Sequence, residues 1–178
     1  MKKKITITII CAILSCVCLI GTTFAWLVDK TDPVENTFTI GNINIDLKET
    51  TGNTYKILPG MDIPKDPKVI VEGGSEVCWL FVKIDKSTNF DDVMTYEIAT
   101  GWTELQQGVY YIKVDTVNAG GNEYPVLKDN KVVVPNTLTK SDIDAITSNP
   151  TLTFTAYAIQ QEGFATPEAA WAEAKNAT

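Results

Sequence analysis

Most apolar residues after position 36 lie in short runs, and Gly, Pro, Asn or Asp separates each run from the next. The runs are rich in β-branched and aromatic residues, which favour strands over helices. Runs this short and this evenly spaced predict an all-β fold, an antiparallel jelly-roll-like β-sandwich, and not a helical bundle or a βαβ fold. The predicted strands are Lys68–Glu72, Val77–Asp85, Met94–Ala99, Val109–Val114, Lys131–Pro135 and Leu152–Ile159.

The run that begins at Val77 shows how the two faces of a strand divide. One face carries Cys78, Leu80, Val82 and Ile84, and the other carries Val77, Trp79, Phe81 and Lys83. The first face is wholly apolar, so we predict that it lies against the core. The second face is apolar with a charge near one end, so we expect a loop to cover part of it.

The first strand has a break in its alternation. Phe38 and Ile40 share one face, but the next apolar set begins at Ile43 and is shifted by one position. Gly41 lies at the shift and suits a β-bulge, because glycine tolerates positive φ. We predict one bent strand, Thr37–Leu47, or else two strands of different sheets with the corner at Gly41.

Prolines interrupt the stretch between residues 51 and 69. Pro59-Gly60 suits the centre of a type II turn. Pro64 and Pro67 cannot donate a hydrogen bond to a ladder, so we expect no central strand there.

Two short peripheral helices are predicted towards the C-terminus. The first would be capped by Thr139 or Ser141. The second has Thr166 as its cap and Pro167 at its first position, followed by strong helix formers. Trp171 is the one large apolar residue of the second helix, and we expect it to hold that helix against the body.

The N-terminus has the pattern of a secretory signal. Three lysines precede an uncharged apolar stretch that runs from Ile5 to Ala25. Thr23 and Ala25 supply the small residues at positions −3 and −1 of a signal-peptidase site, which places the cut before Trp26. The expected organisation is therefore a helical signal peptide (1–25), a linker or donor segment (26–36) and a β-sandwich domain (37–178).

Two other interpretations of the leader stay open. An apolar stretch of about 20 residues is long enough to span a bilayer, so the leader can also be an uncleaved anchor. A lipoprotein is the third option, because Cys16 follows Ile13-Leu14-Ser15. The residues after Cys16 continue apolar, which does not suit lipidation.

Charge and composition exclude several classes of function. All 15 basic residues are Lys, and removal of the leader takes three of them and none of the 22 acidic residues, so the net charge falls from −7 to −10. We therefore expect no nucleic-acid partner, and membrane contact only through an uncleaved leader. The chain contains no His, so it holds neither a serine- or cysteine-protease triad nor a His-based zinc site. We expect no cofactor.

A few side chains remain as candidates for chemistry. Cys78 is the only cysteine beyond the leader, and we expect it to be a small buried residue. Trp102, Tyr110 and Tyr111 can form a sugar-binding platform or pack in the protein. Three acidic pairs can bind Ca²⁺ or simply begin turns and helices: Asp29/Asp32, Asp91/Asp92 and Asp142/Asp144.

The sequence resembles the TasA/camelysin family of secreted biofilm-matrix proteins of Gram-positive bacteria. The stretches that carry the resemblance are GTTFAWLVD, NTFTIGNINIDLKE, ILPGMDIPKDPKVIVEGGSEVCWLFVKID and LTFTAYAIQQEGF. The first is similar to substrates of the SipW-type signal peptidase, in which a small residue precedes an aromatic-apolar new N-terminus. Together these stretches cover about half of the chain, and the leader and first strand are the most specific.

The resemblance implies a jelly-roll sandwich, export, and a role as a subunit or accessory of extracellular fibres. The implied partners are the SipW-type peptidase and further copies of the chain or related matrix subunits. Camelysin relatives have been classed as metalloproteases. Because the chain has neither a His nor a His-Glu-x-x-His motif, our expectation is that it is not an enzyme, with a secreted hydrolase or a carbohydrate-binding surface module as alternatives.

Cleavage before Trp26 would leave an apolar segment on a linker. Such a segment suits strand addition, in which a peptide joins a free sheet edge and its alternate side chains fill pockets. The predicted assembly residues are Trp26, Leu27, Val28, Phe38 and Ile40. The other expectation is that the segment folds back on its own domain or stays disordered.

Overall fold

The computed structural model describes residues 41–52 and 54–176. The strands in these ranges are β1 (Ile45–Lys48), β2 (Asp62–Pro64), β3 (Lys68–Val71), β4 (Cys78–Lys86), β5 (Thr103–Gln106), β6 (Val109–Val114), β7 (Asn122–Pro125), β8 (Lys131–Val133) and β9 (Leu152–Gln160). The helices are α1 (Phe90–Val93), α2 (Lys140–Asp144) and α3 (Pro167–Ala174), with a 3₁₀ turn at Lys128–Asn130.

Every ladder between these strands is antiparallel. The largest sheet has the order β5-β6-β4-β9, a second has the order β1-β3-β7, and β2 pairs with β8. The prediction of an all-β antiparallel fold with a few short helices is therefore confirmed.

The main core lies on the face of β4 that the alternation predicted. Cys78, Leu80, Val82 and Ile84 are each at most 4% exposed and belong to one apolar cluster. Val69 and Val71 of β3 are fully buried in the same cluster. Complete burial of such aliphatic side chains stabilises the fold by roughly 1.5–3 kcal/mol each.

A helix, and not a loop, covers the opposite face of β4. Trp171 of α3 is 6% exposed, and its ring lies 5.3 Å from that of Phe81 and 5.2 Å from that of Tyr157. Thr166 caps α3 by accepting a hydrogen bond from the backbone of Ala169, with Pro167 at the first position. The role predicted for Trp171 is confirmed, but the predicted loop cover is wrong.

The other C-terminal helix also begins as predicted. The hydroxyl of Thr139 accepts a hydrogen bond from the backbone of Asp142, and the Asp142 carboxylate accepts one from the backbone of Thr139. This reciprocal capping box selects Thr139 over Ser141 as the cap.

Several predicted strands differ from those in the structure. Met94–Ala99 is not a strand, because it makes only isolated bridges through Thr95 and Ile98. The preceding turn of helix, α1, was not predicted. Three short strands, β2, β5 and β7, were also missed.

The predicted bent strand Thr37–Leu47 is a strand only from Ile45 onward in its described part. Residues 41–44 run beside the loop after β3, where the backbone of Glu76 donates to the Asn42 carbonyl at 2.8 Å. Thr37–Ile40 lies outside the described residues. The type II turn at Pro59-Gly60 is confirmed, since Gly60 has φ of 74° and Met61 N donates to Leu58 O.

Candidate functional site: the free edge of β9 and its groove

The strand β9 has one paired edge and one free edge within the described part of the chain. Its ladder with β4 continues at both ends, where Ser87 N donates to Thr151 O and Gln161 N donates to Val77 O. Paired residues of an antiparallel ladder alternate between hydrogen-bonded and non-bonded positions. The backbone groups of odd-numbered β9 residues therefore point towards β4, and those of even-numbered residues point to the free edge.

The free edge carries little protection against a further strand. β9 is nine residues long, and its sequence LTFTAYAIQ contains no charge, Pro or Gly. Natural edge strands are usually short, charged, bulged or interrupted by Pro, because a bare edge pairs with other chains. β9 therefore has the features of a strand that can accept a neighbour.

The inner face of β9 is only partly covered. Phe154, Ala156 and Ala158 are half-buried against the main core, whereas the paired residues of β4 are fully buried. β1, the edge strand of the three-stranded sheet, comes close to β9, but no ladder joins them in the described chain. The described strands of the two main sheets therefore form no shared ladder along this side.

A groove of about 450 Å³ lies at the Leu152 end of β9. This volume is in the range of small ligand pockets, roughly 300–1,000 Å³. Its apolar lining comes from the loop after β1, from β2, from α1 and its flank, from Val132 of β8, and from β9. The larger apolar side chains among them are Tyr55, Ile57, Ile63, Phe90, Met94 and Leu152.

A partly buried ion pair borders the groove. Lys65 Nζ lies 2.6 Å from a carboxylate oxygen of Glu49, with the two side chains 11% and 25% exposed. The same ammonium lies 5.4 Å from the ring centre of Tyr55 and 5.9 Å from that of Phe154. The Tyr55 hydroxyl donates a hydrogen bond to Glu49 at 3.1 Å. The positive charge of Lys65 is thus balanced by Glu49. The groove therefore presents apolar surface beside an ion pair.

A second carboxylate fixes the loop that carries Glu49. Asp66 accepts hydrogen bonds from the backbone and hydroxyl groups of Thr50 and Thr51. These bonds, above all those from Thr50, hold the pKa of Asp66 well below its ordinary value. The loop after β1 is thereby held against the Pro64–Pro67 segment.

Sequence reasoning missed Glu49, Tyr55 and Lys65 as members of a site. They lie in the turn-rich stretch before β3, where neither periodicity nor a motif marks them. Their proximity results from the fold of the loop after β1, which hydrogen bonds from Thr50 and Thr51 to Asp66 hold beside Lys65.

The residues predicted for export and assembly cannot be placed. Thr23, Ala25 and Trp26 of the cleavage site lie outside the described residues. The assembly residues Leu27, Val28, Phe38 and Ile40 lie outside them as well, as do Asp29 and Asp32. These roles stay predictions.

The described acidic pairs act at helix starts and in ion pairs. Asp91 of α1 pairs with Lys86 at 2.7 Å, and Asp144 of α2 pairs with Lys140 at the same distance. Asp142 belongs to the capping box, where bonds from Thr139 lower its pKa. These contacts match the expectation that the pairs begin turns and helices.

The three aromatic candidates do not form one platform. The indole N–H of Trp102 donates to the Pro125 carbonyl at 2.8 Å, and its ring packs against the main core. Tyr110 packs against the same core, whereas Tyr111 lies in the cluster under α3. Neighbouring residues of a strand face opposite sides, so Tyr110 and Tyr111 cannot bind one sugar together.

Cys78 is a buried thiol, as expected. It is 0% exposed, and burial raises its pKa to about 11. A thiol with such a pKa is a poor nucleophile at neutral pH.

The described residues offer no ready metal site. Within residues 41–52 and 54–176, no three or more His, Cys, Asp or Glu side chains are arranged to hold a metal ion. Zinc in metallopeptidases is held by three such side chains, typically including His. The donor set in this part of the chain does not fit a catalytic zinc ion. The same residues contain no helix long and apolar enough to cross a membrane.

Comparison with known proteins gives one match. No curated protein matches the chain, and no solved structure matches it. A family model described as camelysin metallo-endopeptidase matches residues 1–140. That description corrects our expectation that the protein is not an enzyme, because it names a peptidase activity. Since the match spans well over half of the 178 residues, the chain belongs to the camelysin metallo-endopeptidase family.

Proposed function

We propose that the protein is a secreted structural subunit or accessory of extracellular matrix fibres and assembles head to tail. In this proposal the N-terminal segment of one copy adds to the free edge of β9 in the next. The observation that carries the proposal is the long, uncharged edge of β9 with its half-covered inner face. Membership of the camelysin family supports export, and processing by a SipW-type signal peptidase belongs to the same proposal.

The placement of the two ends of the molecule favours addition between copies. The described chain begins at Gly41, beside Glu76 and close to the Cys78 end of β4. Cys78 pairs with Gln160, so this is the C-terminal end of β9. The groove lies at the opposite end, beside Leu152. A donor leaving one end and an acceptor at the other give a heterologous contact, which builds an open filament when successive copies do not close into a ring.

The chemistry of the donor matches the acceptor. Trp26, Leu27 and Val28 are apolar, and residues 37–40 alternate between polar and apolar side chains. An added strand would bond the outward backbone groups of the even-numbered β9 residues. Its alternate apolar side chains would then cover Phe154 and Ala156.

Electron microscopy of the exported protein tests this proposal. We expect fibres from the intact exported chain and none from a variant that lacks Trp26–Glu35. Circular dichroism of both proteins shows whether the truncated chain keeps the β fold. Fibres that persist unchanged after truncation would refute strand addition, and an exported chain that stays monomeric at high concentration would refute assembly altogether.

Peptide-bond hydrolysis is the second candidate function, and the description of the matching family favours it. The test is cleavage of unstructured peptides by the exported protein, with added Zn²⁺ and with a chelator. Glu49→Gln is an informative variant, because Glu49 is the carboxylate paired with Lys65, which lines the groove. Metal-dependent turnover lost in this variant would support a peptidase at this site, whereas turnover that survives Glu49→Gln would place it elsewhere.

A further inference from the structure

The ion pair of Lys65 and Glu49 is the least exposed ion pair in the described part of the chain. Its two side chains are 11% and 25% exposed. In every other ion pair within residues 41–52 and 54–176, both side chains are at least 30% exposed. The Lys65 ammonium also lies 5.4 Å from the ring centre of Tyr55 and 5.9 Å from that of Phe154. The pair is therefore held largely away from water.

The amine nitrogen of Lys65 lies close to the whole carboxyl group of Glu49. Nζ is 2.6 Å from Oε1 and 2.7 Å from Oε2. The carboxyl carbon Cδ is bonded to both oxygens, so it lies beside the nitrogen as well. An amine and a carboxyl group held in contact react as parts of one molecule, with effective concentrations of up to about 10⁵–10⁸ M.

A third side chain is placed to assist at the carboxyl group. The Tyr55 hydroxyl lies 3.1 Å from Oε1 of Glu49 and also contacts the Gly52 carbonyl. When this hydroxyl donates to Oε1, it stabilises negative charge that develops there, as the donors of an oxyanion hole do. Oε1 is thus the oxygen that keeps its bond to Cδ, and Oε2, which faces the ammonium, is the one that can leave.

We propose that Lys65 and Glu49 form an intramolecular amide bond in the folded protein. Nζ attacks Cδ, the bond between Nζ and Cδ forms, and the bond between Cδ and Oε2 breaks. Oε2 leaves as water with two protons that the ammonium gives up, so atoms and charge balance and no oxidant is needed. The reaction turns two opposite charges into an uncharged amide. Burial favours this product, because a charged pair loses its hydration when it is buried.

The bond would join the ends of two strands that belong to different sheets. Glu49 directly follows β1 of the three-stranded sheet, and Lys65 directly follows β2, which pairs with β8. Such a cross-link restricts the unfolded chain in the way that a disulfide does. The described residues contain one cysteine, Cys78, and so cannot form a disulfide among themselves.

The inference is independent of strand addition, because the amide lies within one copy of the chain. It bears on the second candidate function, however. A chain with the amide has no free carboxylate at Glu49, so this bond and a peptidase that uses Glu49 exclude each other.

Mass spectrometry of the exported, denatured protein tests this inference. We expect the intact mass to lie below the mass of the processed sequence by one water. Digestion should give a branched peptide that joins the segments of Glu49 and Lys65. The internal control is the pair of Lys131 and Asp62, whose side chains are 36% and 55% exposed and whose peptides should stay separate. A folded parent protein that keeps its full sequence mass after prolonged incubation would overturn the inference.

Three variants identify the groups involved. Glu49→Ala and Lys65→Arg each remove one partner, and both should show the full mass of their sequences. Water loss that persists in Glu49→Ala would arise elsewhere and would also overturn the inference. Tyr55→Phe keeps the ring and removes the hydroxyl, so the lighter species should appear at least tenfold more slowly in samples taken after a pulse of synthesis. An unchanged rate in Tyr55→Phe would overturn the role assigned to that hydroxyl.

Discussion

The two edges of the four-stranded sheet differ in nearly every feature that controls strand pairing. β5 forms one edge with four residues, contains Glu104, and has a register shift between Glu104 and Gln106. β9 forms the other edge with nine residues and no charge. Short length, charge and a bulge each discourage pairing with another chain. Among residues 41–52 and 54–176, the sheet is therefore protected at one edge and open at the other.

The edges of the three-stranded sheet follow the protected pattern. β7 carries Glu123 and ends in Pro125, and β1 has four residues that include Asp46 and Lys48. Since the other edges have such features, their absence in β9 is a local property of that strand. An unprotected edge strand in an otherwise protected protein is expected where that edge pairs with another strand.

The largest expected effect comes from removing the side chain that holds α3 against the outer face of β9. Trp171→Ala deletes the ring that contacts Phe81 and Tyr157. Truncation of a buried aromatic residue costs about 3–5 kcal/mol, so the free energy of unfolding should fall by that amount in chemical denaturation. Glu173→Ala, on the exposed side of the same helix, is the control and should change the free energy by less than about 0.5 kcal/mol. A loss below about 1 kcal/mol for Trp171→Ala would show that α3 does not hold β9 in place.

Proline at neighbouring positions of β9 separates the paired edge from the free one. The N–H of Thr155 points towards β4, so Thr155→Pro removes a ladder hydrogen bond and should lower the free energy of unfolding by at least 1–3 kcal/mol. The N–H of Ala156 points to the free edge, where Pro is tolerated. Ala156→Pro should therefore stay folded but form no fibres. Thermal unfolding with electron microscopy measures both effects, and normal fibres from a folded Ala156→Pro chain would show that this edge is not the acceptor.

A single charge should make β9 behave like the protected edges. Thr153→Lys places an ammonium group on the exposed side of β9, and surface substitutions of this kind change stability by about 0.5 kcal/mol or less. We expect the rate of fibre growth, followed by light scattering, to fall several-fold. The equivalent change on the opposite edge, Thr103→Lys, should leave the rate unchanged. Equal slowing by both substitutions would point to a general effect of charge.

The smallest effect is expected for the loop beside the Leu152 end of β9. Hydrogen bonds from Thr50 and Thr51 lower the pKa of Asp66 below its ordinary value of about 3.9. The stabilisation is therefore complete above about pH 4 and is lost as the pH falls through the lower pKa of the folded state.

Asp66→Asn should lower the melting temperature slightly at neutral pH, and the difference from the parent should shrink below about pH 4. The control is Asp92→Asn, in another exposed carboxylate of the body. A difference between parent and Asp66→Asn that does not depend on pH would contradict a charge-dependent clamp.

Local sequence patterns were sufficient to predict the strands that carry most of the core. Alternation and β-branched residues predicted β3, β4, β6 and β9 to within one residue at each end. Cap residues located α2 and α3, since Thr139 and Thr166 satisfy backbone groups within their own turns. β5 and β7 were missed because strands at a sheet edge bury few side chains and carry polar sequences. Met94–Ala99 was overpredicted because an apolar run does not show whether a partner strand is available.

The sequence by itself determined the fold class, the buried face of β4 and the capped C-terminal helices, because these depend on residues a few positions apart. Only the tertiary structure decided that α3 covers the outer face of β4. It also decided that β9 ends the described sheet with a free edge, and that the ion pair of Glu49 and Lys65 lies beside Tyr55 at one groove. Those features depend on which distant strands pair and in what register, and pairing between distant strands leaves no local pattern in the chain.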